Sequence, residues 1–414
     1  MKGTFLGALC AAMATTVLAA APGTRQAVFP PGHGEAPGAV VELPTIGNGG
    51  QADAINQWGL VTGRTDTASG WAAFRSGPHG PLELVGSPGD PFLSAFAIND
   101  FGDIVGEGVA ADGAFVTFAK IGTALYDLRP TYAADINNEG VVAGWAQKAA
   151  LWRPGCPLQV LLWPGMPPEN DTSGGWLSAV RAVNDRGQAV GFYVDETRAP
   201  HAVRWEPDGT LIELGFGTPT AINEAGDVVG WGYSTPNFIW RDGIGRTNVE
   251  ISALAINDAG QLAGLCGNGT SDYDACVWSE STGMIRLAKP VNGRARAAGI
   301  NDLGEVAGDL YGADQRGHAL WWYVPPEIGD QFLAVHTLLR ILNEDGILSE
   351  GRTTALLRAL GRAEGERGAG DPAAAAKQLS QMARQLRVWR QGKGGDRLIR
   401  VEALVRRLGL RLLQ

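Results

Sequence analysis

Residues 221–230 read Ala-Ile-Asn-Glu-Ala-Gly-Asp-Val-Val-Gly, and with small changes this stretch occurs seven times along the chain. Its asparagine falls at Asn56, Asn99, Asn137, Asn184, Asn223, Asn257 and Asn301, with spacings of 43, 38, 47, 39, 34 and 44 residues. A unit of roughly 40 residues cannot bury its own apolar face and must stack on its neighbours, so the period predicts a repeat architecture. A residue type present seven times at one register is structural, because an enzyme needs each catalytic group once.

Within a unit the pattern predicts four short strands. Around Asn223 they are Thr220–Asn223, Asp227–Gly230, Asn237–Trp240 and Thr247–Ile251, each short and β-prone. Asn-x-x-Gly suits a type I turn whose fourth residue takes positive φ between two antiparallel strands. Gly59, Gly102, Gly140, Gly187, Gly226, Gly260 and Gly304 hold that place. The third strand tends to end in a large aromatic: Phe74, Phe118, Trp152, Trp205, Trp240, Trp278 and Trp321. Four strands per unit without helical period predict a β-propeller blade.

The last unit runs into Val324-Pro325-Pro326 without a fourth strand, while Val41–Ile46 precedes the first motif as a strand without a unit. Pairing the two leaves no open sheet edge, which edge-strand physics favours. The fold expected is an all-β seven-bladed propeller over residues 39–326, closed by its own N-terminal strand, followed by a small all-α region over 327–414.

The motif, the His201-Ala202-Val203-Arg204-Trp205 and His318-Ala319-Leu320-Trp321 segments, and the Leu214-Gly215 strand end together resemble the HAF repeats of bacterial extracellular proteins. The resemblance covers roughly residues 41–324. Only two units keep the His-Ala pair. It implies fold and location, and carries no assigned chemistry. From Leu342-Asn343-Glu344-Asp345-Gly346 onward the chain resembles the small FIMAH-like helical domains at the C-termini of bacterial surface proteins.

Composition agrees with export. Residues 1–21 have a basic start at Lys2, an apolar run from Phe5 to Ala20 and small residues at its end, as a signal peptide requires. Residues 22–38 form a Pro/Gly-rich leader segment. The expected location is secreted, extracellular or periplasmic, with no transmembrane segment after signal cleavage. Cys266 and Cys276 flank one blade's second connection and are disulfide candidates in an oxidising compartment. Two buried thiols are the other reading, and Cys156 is given no role.

After Pro325-Pro326 the apolar period changes from two to 3.6: Phe332, Val335, Leu338, Leu339 and Leu342 open a series of four amphipathic helices. Charge divides at the same boundary. From Glu327 onward there are fifteen Lys+Arg against ten Asp+Glu, a balance of +5; the rest after Lys2 carries 18 against 33, or −15. An acidic disc argues against nucleic acid as its partner, since phosphate binding needs positive charge. The arginines of the helical region are expected to face solvent or the acidic propeller.

Loop lengths mark one face. The motif asparagine and its closing glycine are always seven positions apart, whereas the second and fourth connections of the blades vary widely. In a propeller those two lie on the same face, and function gathers on variable loops held by a rigid scaffold. That face supplies the ligand-binding candidates Trp163, Glu169, Asp171, Trp176, Asp195, Asp272 and Asp309. Aromatics beside carboxylates suit a sugar groove, with rings to stack on and carboxylates to accept from hydroxyls.

There is no P-loop, GxGxxG before a helix, HExxH, CxxC pair or GxSxG elbow, so no cofactor, metal or catalytic residue is assigned. The expected function is a binding or interaction module at the bacterial cell surface, for glycan or protein, working as a monomer. A glycan-cleaving enzyme using paired carboxylates on the variable face is the alternative. A purely structural surface protein is the third.

Overall fold

The computed structural model describes residues 38–413, apart from 48, 78–80, 86–91, 110–112, 130, 167–177, 268–272, 314–315 and 390–394. The expected signal peptide and nearly all of the leader segment therefore lie outside the described residues. Seven four-stranded antiparallel sheets form a seven-bladed propeller, followed by four helices.

Each blade follows from its motif. The inner strands, which border the central channel, are Gly50–Ile55, Phe92–Ile98, Tyr132–Ile136, Ser178–Val183, Thr218–Ile222, Ser252–Ile256 and Gly293–Ile300. All seven end in the same turn, in which the glycine N–H donates to the asparagine carbonyl at 2.9–3.1 Å. Those glycines have φ between 69° and 88°, a conformation strained for any residue with a Cβ. At Gly304 a Cβ would in addition stand 2.0 Å from the Val324 carbonyl oxygen.

The strand Val40–Glu42 pairs antiparallel with the last strand, Gly317–Tyr323, opposite Leu320–Trp322. It is the fourth strand of the seventh blade, so the chain closes its own ring. Leu43 follows into the core beside Trp321 and Tyr323. The pairing occupies the N-terminal half of the expected Val41–Ile46 segment; Pro44 has no N–H to continue the ladder.

The asparagines do more than turn the chain. Each side-chain oxygen accepts from the backbone N–H four residues later at 2.8–3.0 Å. Each side-chain nitrogen donates to the backbone carbonyl of the next asparagine, from Asn56 to Asn99 and onward until Asn301 reaches Asn56, at 2.9–3.1 Å. Seven buried amides thus form a closed hydrogen-bonded ring between the blades.

The helices are α1 (Ile328–Glu344), α2 (Glu350–Gly368), α3 (Pro372–Trp389) and α4 (Gly395–Arg411). Their apolar stripes pack with Trp58, Leu60 and Leu303 of the propeller's first and last motif turns. α4 supplies several polar contacts: Arg400 pairs with the buried Glu305, Arg397 donates to the Asp100 carbonyl and lies over the Trp58 ring, and Arg411 donates to the Pro326 carbonyl, which also accepts from Gln331 of α1. Among the arginines of the helical region, these face the acidic propeller. No helix among the described residues is long and apolar enough to cross a membrane.

Candidate binding site at the open mouth of the central channel

The closing glycine of each motif sets what lines the channel. A Cβ on Gly144 would lie 1.8 Å from the Tyr132 carbonyl oxygen, and Gly63, Gly106, Gly191, Gly230, Gly264 and Gly308 are crowded in the same way by the inner strand. Opposite these glycines every inner strand carries a register break, a β-bulge with one unpaired residue. The bulged residues are Asp53, Phe96, Ala134, Arg181, Thr220, Leu254 and Ala298, three positions before the motif asparagine.

Strand alternation then stacks three rings along the channel. Next to the asparagines, Ile55, Ile98, Ile136, Val183, Ile222, Ile256 and Ile300 form an apolar collar. On one side of it lies the ring of residues that follow the asparagines: Gln57, Asp100, Asn138, Asp185, Glu224, Asp258 and Asp302. Each side-chain oxygen in this ring accepts from the preceding blade's backbone N–H at the same position, at 2.7–3.0 Å. Burial raises these carboxyls, Asp100 to about 6 and Glu224 to about 7, with Asp185, Asp258 and Asp302 also shifted up. Leu333, His336, Thr337, Arg340 and Glu344 of α1 share the walls of the cavity at this mouth, about 900 Å³.

At the other mouth, on the face of the second and fourth connections, no helix contributes. All seven bulged residues line a cavity of about 440 Å³, together with Trp145, Thr218, Trp231 and Arg296. Arg296 is held between two carboxylates, Asp53 at 2.6 Å and Asp309 at 2.7 Å. Burial alone would lower its guanidinium; the two charges outweigh burial and hold it above its usual range. Arg181 differs. Its guanidinium lies 5.6 Å from the ring centres of both Trp145 and Phe192. Among the described residues nothing accepts a hydrogen bond from it, and burial lowers it with no compensating charge.

The residues expected on this face have separate fates. Asp309 stands beside the open mouth, fixed by Arg296. Asp195 closes its own loop, accepting from the Thr197 and Ala199 N–H groups and contacting His201 Nε2 at 3.0 Å. The Thr197 hydroxyl and then His201 hold its carboxyl well below the usual range. Trp163 is a correction: it is 6% exposed and packs in the core of the third and fourth blades, stacked on Tyr193 at 6.4 Å. The segment folds back because Trp205 Nε1 donates to the Leu162 carbonyl at 2.7 Å, drawing the adjacent tryptophan in. Glu169, Asp171, Trp176 and Asp272 lie outside the described residues. Cys266 and Cys276 are joined by a disulfide across two strands of the sixth blade, with Cα atoms 5.9 Å apart.

The bulge ring escaped the sequence reading, although a signal exists. The position three residues before each motif asparagine varies through Asp, Phe, Ala, Arg, Thr, Leu and Ala. Without the bulge, nothing says that it faces the channel.

No protein-family model and no curated protein matches the chain. Solved structures match in fold. They include a Mycobacterium tuberculosis puromycin-hydrolyzing peptidase (12% identity, 69% of this chain, 51% of that one, TM-score 0.42) and the Pyrococcus horikoshii acylaminoacyl peptidase (10%, 66%, 51%, 0.42). TolB from Acinetobacter baumannii is a third (11%, 65%, 65%, 0.34). The chain spans about half the length of the two peptidases, and the likeness is one of fold alone.

Proposed function

We propose that this chain is a secreted HAF-type repeat protein that works as a binding module, taking a glycan or protein ligand at the open mouth of the channel. Propeller folds commonly mediate binding. One observation carries the reading: at the level of this mouth seven equivalent positions hold Asp, Phe, Ala, Arg, Thr, Leu and Ala, whereas the asparagine, turn-glycine and closing-glycine positions are repeated. Symmetry maintains a scaffold; a cavity whose lining departs from that symmetry suits an asymmetric ligand. Secretion is supported by the signal-peptide pattern of residues 1–21 and by the Cys266–Cys276 disulfide.

A glycan array probed with the protein, followed by repeat measurements on Thr220→Arg, tests the reading. Thr220 lines the cavity, and a large side chain there would fill the mouth. Binding that Thr220→Arg abolishes supports it. Binding unchanged by a blocked mouth would place the ligand elsewhere.

A further inference from the structure

We infer that the open mouth recognises a sugar bearing a single carboxylate, a hexuronic acid residue of a glycan, with Arg181 as its anion contact. The inference rests on the proposed binding role of this mouth and deepens it. Among the described residues that line the mouth, Arg296 is already neutralised by Asp53 and Asp309, and Arg181 is the other cation, left to face a ligand. A guanidinium between two aromatic faces is fixed in direction, and its planar fork of donors matches a carboxylate in two parallel hydrogen bonds.

The rest of the cavity suits a sugar ring. Trp231, 43% exposed, offers an apolar face for stacking. Asp53 and Thr218 add polar groups for hydroxyls. A volume of about 440 Å³ is in the range of small-molecule sites. The acidic propeller disfavours a polyanion at long range, which favours one short-range carboxylate contact over a charged tract.

The test is calorimetric titration of the full chain with an acidic trimer, two galactose residues and one galacturonate, with the neutral galactose trimer of the same linkage, and with a Gly-Glu-Gly peptide amidated at its C-terminus. The acidic trimer is expected to bind about tenfold or more tighter than the neutral one. Arg181→Met keeps the apolar stem and removes the charge, and should erase that preference; Arg181→Lys should restore part of it; Trp231→Ala should weaken both sugars. Melting temperatures close to the parent's show that the variants fold. Equal binding of both trimers, indifferent to Arg181→Met but lost in Trp231→Ala, overturns the carboxylate assignment and leaves the mouth as a binding site. The Gly-Glu-Gly peptide binding as tightly as the acidic trimer, through Arg181, overturns the sugar assignment in favour of an acidic peptide. No binding of the acidic trimer overturns the inference, and the array result then decides the wider reading by itself.

Discussion

At the scale of single residues, one side chain can close several backbone accounts. The Asn223 oxygen accepts from the Asp227 N–H and its nitrogen donates to the Asn257 carbonyl, both bonds buried or nearly so. Asn223→Ala strands one donor and one acceptor, and an unmet buried group costs about 1–3 kcal/mol. Destabilisation of roughly 2–5 kcal/mol in urea is expected; a loss within measurement error would show that water replaces both partners. Trp163→Ala removes a buried ring packed on Tyr193 and should cost about 3–5 kcal/mol. A parent-like urea midpoint would return Trp163 to the surface role its loop position suggests. These two cases separate what was legible. The asparagine's register announced its importance through repetition, while Trp163 follows a short edge strand and its burial depends on a hydrogen bond from Trp205, 43 residues away.

At the scale of elements, the four strands per blade, the turn type and the closing strand all follow from the residues, because each is local or is demanded by the absence of a free edge. The bulges are different. They arise where the closing glycine lets the inner strand press close, an effect of pairing that no single strand's pattern carries. The three-residue strand Val40–Glu42 closes the ring, with Glu42 also contacting His318 Nδ1 at 2.7 Å and Leu43 in the core. A chain beginning after residue 47 should therefore melt well below the parent, because the seventh blade then presents an unpaired edge. Parent-like melting would mean that three blade strands and the helices suffice to hold the ring.

At the scale of the whole molecule, burial has a consequence for pH. Asp100 and Asp135 are raised to about 6 and Glu224 to about 7, in each case chiefly by burial. Folded values above the unfolded ones contribute stability that is fully present below the unfolded pKa near 4 and is lost as pH rises through 6 and 7. The melting temperature should therefore fall between pH 5 and pH 8. Glu224→Gln keeps an oxygen for the Asp185 N–H, removes the charge and should flatten that slope. Below about pH 4 the trend reverses, because Asp127, Asp208 and Asp274 are held below their usual range, first by Arg129, the Thr210 N–H and Lys289 respectively. A melting temperature that rises from pH 5 to pH 8 would refute the burial of these carboxyls. None of this was readable from residue types, since an aspartate beside an asparagine is an ordinary turn residue until seven of the turns meet.

The ring of asparagine amides also behaves as a hoop. In an open stack an end unit can fray by releasing one neighbour, and stability is graded along the chain. Here each motif is tied on both sides, so to leave, any blade must break two of the seven ties. Opening is then shared by all or by none, and a weak blade borrows the stability of the strongest. Amide exchange should register this directly: the N–H groups that donate to the seven side-chain oxygens, from Leu60 to Glu305, are expected to exchange at one common slow rate despite the different sequences around them. A gradient of rates around the ring would mean that the hoop is open at its slowest-closing seam, beside the three-residue strand.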